Sequence, residues 1–408
     1  MNFAIVGLDT RISPLAQSIS ELPEHQLVFA CVDRSMNARY AEVLTRFDDD
    51  VLYDTNDRDW LARLHASSPD VVVVAAGQDS TALVHAIRRL SELGIPLVLS
   101  HPLNHSAMVY YELEILIEDA KVAMIPYVPA RSQTAVQVLR RRMDDQPVGD
   151  GVEGLGQLEQ ITLDRTVGKI TRAELLDAFT SDVDVIRYLV GDVSDVAAMH
   201  PGGADSLPIP LSVQMNSKRG HLLRWSMSAA AAPPGAKLTL TGTQGSSVLH
   251  MPDEDAWQLE GLVSDEDPAV GEESAGGSSD VVASLIRQLE MARNDAEYMQ
   301  QTWQDVTRSV ETTEALEKSL RKGRVVRLSY DGRGEQAAFK GTMASIGCGL
   351  LIAMLLVTVV SAVLLKIAKV QEMAGLAAFV GKVPYVVLGL LLVFLILQLL
   401  RFAIPGKE

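Results

Sequence analysis

The residues that could do chemistry fall into three groups. The first is a turn. Gly7 closes the apolar run Phe3-Ala4-Ile5-Val6, and Leu8-Asp9-Thr10-Arg11-Ile12 follows it ahead of a helical stretch. A strand, turn and helix of this kind can hold a phosphate, because the free backbone N–H groups of the helix N-terminus point at it. The tightest version spaces glycines as G-x-G-x-x-G. Here Gly7 fits, while Asp9 and Ile12 stand at the other two positions. A carboxylate at Asp9 would repel a diphosphate, at a cost on the order of 1 kcal/mol or more at intermediate dielectric. Asp33 ends the second apolar run, where a carboxylate accepts hydrogen bonds from an adenosine ribose, and Arg34 beside it suits a 2′-phosphate. The expected cofactor set is therefore Gly7, Leu8, Asp33, Arg34 and Ala76, for NAD or NADP with a lean to NAD and with weak binding. In the plainer reading, Gly7 only closes a strand and Asp33 is a solvated turn acid.

The second group is Ser100-His101-Pro102, at the end of a later apolar run. An imidazole is an acid or base near neutral pH, or simply a hydrogen-bonded residue at a strand end. His105 lies four residues on, but two donors without a third make no metal site, and none is expected. The third group is Asp177, Ser181 and Asp184, whose spacing of four and three places them on one helical face.

Alternating elements must position these groups. Strands are expected at 3–7, 27–33, 70–76 and 96–100, with helices at 14–21, 37–47, 57–65 and 80–93 between them. Strands alternating with helices imply right-handed crossovers and a parallel sheet wound on both faces, a Rossmann-type domain over residues 1–125. From about residue 154 the runs 158–163, 211–215, 222–227 and 237–241 alternate apolar and polar residues, as in an open, largely antiparallel sheet with one face covered. A helix at 173–189 interrupts them and would cover that face. Residues 126–330 then form an α+β domain, with a mobile loop at 261–280 and a long helical stretch from 281 to about 321.

Two further segments are of another kind. Residues 341–365 carry no charge and are bracketed by Lys340 and Lys366. A second apolar run, residues 383–402, follows Lys382 and is charge-free as far as Arg401. Each is long enough to cross a hydrocarbon core about 30 Å thick, so a transmembrane hairpin is expected. Arg324, Arg327, Arg333 and Lys340 before it, with Arg401 and Lys407 after it, favour both termini in the cytoplasm. Met1-Asn2-Phe3 is no secretory signal, and this also keeps the folded part cytoplasmic. Small residues such as Gly341, Ala344, Ser345, Gly347 and Gly349 would let helices pack closely, which permits a homo-oligomer. Across 408 residues, 52 acids against 36 Lys and Arg leave a net charge of −16, which argues against a nucleic-acid partner. The two cysteines, Cys31 and Cys348, lie in a buried strand and a membrane helix and require no oxidising compartment.

Several stretches, in order, resemble the glucose–fructose oxidoreductase / inositol dehydrogenase family, called Gfo/Idh/MocA. They are Asp70-Val71-Val72-Val73-Val74, Asp184-Val185-Ile186-Arg187-Tyr188-Leu189-Val190-Gly191, Leu240-Thr241-Gly242-Thr243-Gln244-Gly245-Ser246 and 314–326. The resemblance covers about residues 1–330 and implies a Rossmann domain followed by a sheet domain that carries a substrate pocket. It implies Glu-Lys-Pro at the end of the fourth strand; here Ser100-His101-Pro102 stands there, with His101 as the substitute acid or base. It implies Asp-x-x-x-His-x-x-Asp on a pocket helix; here Asp177, Ser181 and Asp184 occupy those places, the acids as binders of sugar hydroxyls. Thr81 stands where the family commonly has a histidine near the nicotinamide. Two readings follow. One is a membrane-anchored NAD(P)-dependent oxidoreductase acting on a sugar or cyclitol. The other is a non-catalytic relative that binds a nucleotide, sugar or partner protein.

Overall fold

The computed structural model describes residues 1–32, 52–54, 59–77, 80–120, 122–144, 155–201, 209–229, 233–253, 256–261, 278–328 and 330, with positions 360 and 363. Asp33, Arg34, the helix expected at 37–47, most of the loop expected at 261–280 and both apolar runs beyond residue 340 lie outside the described residues. The chain divides into two units, residues 1–330 and 331–408. Among the described residues no helix is long and apolar enough to cross a membrane.

The first sheet contains β1 (Asn2–Val6), β2 (Gln26–Val32), β3 (Leu52–Asp54), β4 (Val71–Val74), β5 (Leu97–Ser100) and β6 (Met124–Tyr127). All its pairs are parallel and their order is β3-β2-β1-β4-β5-β6. Its central strands are apolar on both faces because helices cover both. Among these helices are α1 (Ile12–Glu21), α2 (Trp60–Ala66), α3 (Ser80–Ser91) and α4 (Ala107–Ala120). The winding direction reverses between β1 and β4, and the crevice at the carboxyl ends of strands at such a reversal is where open α/β sheets bind ligands.

Two helices, α5 (Pro129–Ser132) and α6 (Thr134–Asp144), lead to the second sheet. Its strands are β7 (Leu158–Val167), β8 (Val193–Met199), β9 (Leu211–Ser217), β10 (Leu222–Ala229), β11 (Gly235–Gly242), β12 (Ser246–Pro252), β13 (Gln258–Glu260) and β14 (Val326–Arg327), in the order β13-β12-β11-β7-β10-β9-β8-β14. Every pair is antiparallel except β7 with β10, so the sheet is mixed. α7 (Arg172–Val190) starts at a capping box between Thr171 and Glu174. It lays Leu175, Phe179, Val183, Ile186 and Leu189 on the sheet, with Phe179 edge-on to Trp225 at 5.1 Å between ring centroids.

The expected long helix is two, α8 (Ser278–Asn294) and α9 (Ala296–Lys322). Asp295 breaks it, because its carboxylate accepts from the backbone N–H groups of Glu297 and Tyr298 and starts a new helix there. The chain returns here to the first domain. Val282, Leu285, Met299, Trp303 and Val306 belong to the core of the parallel sheet, whereas Ala315 and Leu316 further along α9 belong to the core of the second.

Candidate functional site in the crevice at the ends of β1, β4 and β5

The turn after β1 has the backbone that the sequence implies. Gly7 has φ +80, its N–H donates to Cys31 at 2.7 Å, and a Cβ on it would stand 3.1 Å from that of Ala75. A left-handed turn pressed against β4 therefore requires glycine. Leu8 is partly buried against the core.

Asp9 decides the character of this loop. Its Oδ1 accepts from the backbone N–H groups of Arg11 and Ile12, at 2.8 Å each, and its Oδ2 accepts from Ala76 N–H at 3.0 Å. Two of these donors open α1 and the third follows β4. They are among the amides that such a turn offers to a phosphate, and one carboxylate of the chain holds all three. The residues present do not fit a dinucleotide diphosphate at this loop. The acid is inside the cradle, not merely near it.

His101 is 2% exposed. Its Nδ1 lies 2.9 Å from the Tyr110 hydroxyl, which also accepts from Leu103 N–H at 2.8 Å. The other ring nitrogen, Nε2, points towards α7. That nitrogen has no hydrogen-bond partner and lies 3.9 Å from Asp184 Oδ1. Burial lowers the His101 pKa to about 3, against the raising effect of Asp184. Near neutral pH this histidine is uncharged and sealed.

Asp177, Ser181 and Asp184 share a face of α7 but differ in depth, since seven residues advance a helix by about 10 Å. Asp184 is fully buried. Arg131 grips it through Nε and a terminal nitrogen, and Ser309 donates to it at 2.9 Å. Burial, the largest single effect, pushes its carboxyl up, but the charge and hydrogen bonds of Arg131, with His101, together outweigh it and hold the carboxyl below the ordinary carboxylate value. Asp177, with its side chain 37% exposed, lies towards the crevice. It accepts from or pairs with His105 Nε2 at 2.9 Å, and Arg11 from the β1 turn reaches it at 3.4 Å. Burial alone would raise its pKa; the His105 hydrogen bond and the Arg11 charge lower it. Ser181 is half-buried between the two acids, and Thr81 lies exposed on α3. Ala76 contributes its N–H to Asp9, as above. Asp33 and Arg34, which would choose between NAD and NADP, lie outside the described residues.

Three pairings that spacing did not reveal thus complete the arrangement: Arg11 and His105 on Asp177, and Arg131 on Asp184. No local pattern marks them, because their partners are distant in sequence. Among the described residues, no group of three or more His, Cys, Asp or Glu gathers as a metal site would.

No family model matches the chain, and no curated protein matches it in sequence. Solved structures do match. A WlbA dehydrogenase from Bordetella pertussis, in complex with NADH and UDP-GlcNAcA, superposes with TM-score 0.62 at 15% identity, over 81% of this chain and 98% of that one. An inositol dehydrogenase homolog from Azotobacter vinelandii, complexed with NADH and myo-inositol, gives 0.60 at 13% identity, over 80% and 97%. A myo-inositol dehydrogenase from Corynebacterium glutamicum gives 0.57 at 15% identity, over 81% and 99%. The chain has the fold of these dehydrogenases. The agreement extends to the mixed second sheet, and it leaves the contents of the crevice to be argued from this chain's own residues.

Proposed function

We propose that the protein is a membrane-anchored binding protein, built on the fold of NAD-dependent sugar and cyclitol dehydrogenases, that has given up hydride transfer. The observation that carries this is the burial of His101. Taking a hydride from a secondary alcohol requires a group that receives the hydroxyl proton, and a positioned acid or base supplies about 10²–10⁴-fold in rate. At the end of β5 that place is held by an imidazole 2% exposed and with its pKa lowered to about 3. Among the described residues no side chain hydrogen-bonds the Ser181 hydroxyl, and an unassisted serine hydroxyl is a weak base.

The ligand class is a hydroxyl-rich small molecule. Two solved structures with this fold hold myo-inositol and UDP-GlcNAcA, and Asp177 and Ser181 are polar groups that face the crevice here. The charge-free segment 341–365 and the apolar segment 383–402 support the membrane anchor, and the flanking arginines and lysines support cytoplasmic placement of the folded part. Small residues in the first segment support self-association of the anchor.

The test uses the full chain in detergent with NAD or NADP and a panel of inositols and sugars. No reduced nicotinamide should accumulate, while saturation-transfer NMR should detect a cyclitol or sugar. Sustained turnover would overturn the proposal.

One observation favours the oxidoreductase reading instead. His105 is held by Asp177 at 2.9 Å and is only partly buried, and a carboxylate-oriented imidazole is a competent acid or base. Under that reading His105→Ala abolishes turnover that His101→Ala leaves intact.

A further inference from the structure

We propose that Asp9 is a tethered substitute for a ligand's phosphate, and that it restricts the crevice to ligands placing no phosphate against the β1–α1 turn. This goes beyond the loss of proton transfer, since it concerns a different group and a different part of a ligand.

The geometry carries it from both sides of the turn. The Arg11 and Ile12 N–H groups come from the start of α1, and the Ala76 N–H comes from the loop after β4. These two loops flank the reversal point of the sheet, where a ligand's phosphate would meet both. A single carboxylate bridges them and uses three of its roughly four acceptor sites. An incoming phosphate must break all three bonds and also approach a fixed negative charge. Nor does Arg11 help. The Arg11 guanidinium is turned away to Asp177 at 3.4 Å, so its charge is spent on another acid. The turn itself is intact, with Gly7 at φ +80. The site therefore retains a shape suited to an anion and already contains one.

The class of ligand follows. A dinucleotide, a nucleoside diphosphate or a sugar nucleotide laid across this turn is excluded. An uncharged polyol, a free sugar or a nucleoside is not.

The experiment is isothermal calorimetry on the full chain in detergent, with NADH, ADP and adenosine as probes. Native protein should show no saturable heat with NADH or ADP. Asp9→Gly removes the competing carboxylate and restores a close backbone approach, so NADH and ADP should bind on the order of tenfold tighter or more. Asp9→Asn removes the charge but keeps one acceptor, and its gain should be smaller. Adenosine, which has no phosphate, should respond to neither substitution. Circular dichroism establishes that each variant is folded, and Asp9→Asn carries the test if the glycine variant is not. Saturable NADH or ADP binding by the native chain overturns the proposal, as does a folded Asp9→Asn or Asp9→Gly variant without a gain. NADH binding without turnover would overturn this inference and leave the non-catalytic reading standing.

Discussion

Arg131 grips Asp184 at both ends: Nε donates to Oδ2 and a terminal nitrogen to Oδ1, each at 2.7 Å. Arg131 comes from α5, at the exit of the first sheet, and Asp184 from the helix that covers the second. The same guanidinium pairs with Asp305 of α9 and lies over the Tyr188 ring at 5.1 Å from its centroid. Asp305 in turn holds Arg187 at 2.9 Å. This network ties the two sheets' helices together directly behind the sealed His101. Asp184 thus sits inside a buried ion-pair network.

Removing Arg131 leaves Asp184 a buried charge without its counter-ion, which costs about 3–5 kcal/mol, whereas removing Asp184 leaves Arg131 its pair with Asp305. Arg131→Met should therefore destabilise residues 1–330 by that order in urea unfolding, and Asp184→Ala by less. The double variant should cost less than the sum of the two, because no buried charge of this pair is then stranded. Strictly additive losses would mean that the two side chains contribute independently.

The buried imidazole makes stability depend on pH. The folded pKa of His101 is lowered to about 3, whereas the unfolded value is the ordinary 6.5. Between these values the unfolded chain binds the extra proton, so stability falls as pH drops through that window, by at most about 1.4 kcal/mol per pH unit. Asp184 and Asp305 are held low as well. Their contribution is lost only as pH falls below the ordinary carboxylate range, near 3.9, while Glu311, whose carboxyl burial pushes up, works against histidine towards the lower end of the window. His101→Asn keeps an acceptor for the Tyr110 hydroxyl and removes the titration. Its stability should change less than that of the native chain between about pH 6.5 and 4.5, as read by urea unfolding at several pH values. An unchanged slope would mean that another group titrates there.

Asp177 should behave oppositely to Asp184, although both lie on one face of α7. Its partners Arg11 and His105 leave it partly exposed, and such pairs contribute about 0–1 kcal/mol. Asp177→Ala should therefore leave urea stability within about 1 kcal/mol of native. Its effect should fall on the crevice, as a loss of cyclitol or sugar binding seen by saturation-transfer NMR. A stability loss as large as that of Asp184→Ala would place Asp177 in the core network.

How much of this was legible follows from which signals are local. The runs at β1, β2, β4 and β5 are apolar and bounded by turns, so their strands and the parallel sheet could be read directly. β3 has three residues and β6 carries Pro126 at an edge, which weakens both signals. β7 and β10 alternate in the same way whether they pair parallel or antiparallel, so their parallel register was invisible. Asp9 was legible as a misfit in a glycine pattern, but not as the occupant of the amides, since Ala76 is 67 residues away. His105 and Asp177 are separated by 72 residues, and only the fold brings them together. Spacing placed Asp177 and Asp184 on one face correctly. It could not tell which end of that face is buried.

The proposed membrane anchor should be separable from the fold. Residues 1–330 contain both cores, and the last described strand, β14, pairs with β8 before residue 331. The charge-free run at 341–365 covers 25 positions, or about 37 Å as a helix, enough for a hydrocarbon core of about 30 Å. The run after Lys382 is charge-free for 18 positions, to Leu400, or about 27 Å, near the lower limit for a span. Burying either run in a soluble core would demand partners on every side of the helix. Residues 1–330 expressed alone should therefore be soluble and cooperatively folded, whereas the full chain should pellet with membranes and resist carbonate extraction. Deleting only 383–408 should weaken attachment without abolishing it, because the first run is long enough by itself. If residues 1–330 still pellet with membranes, the first 330 residues carry an attachment of their own.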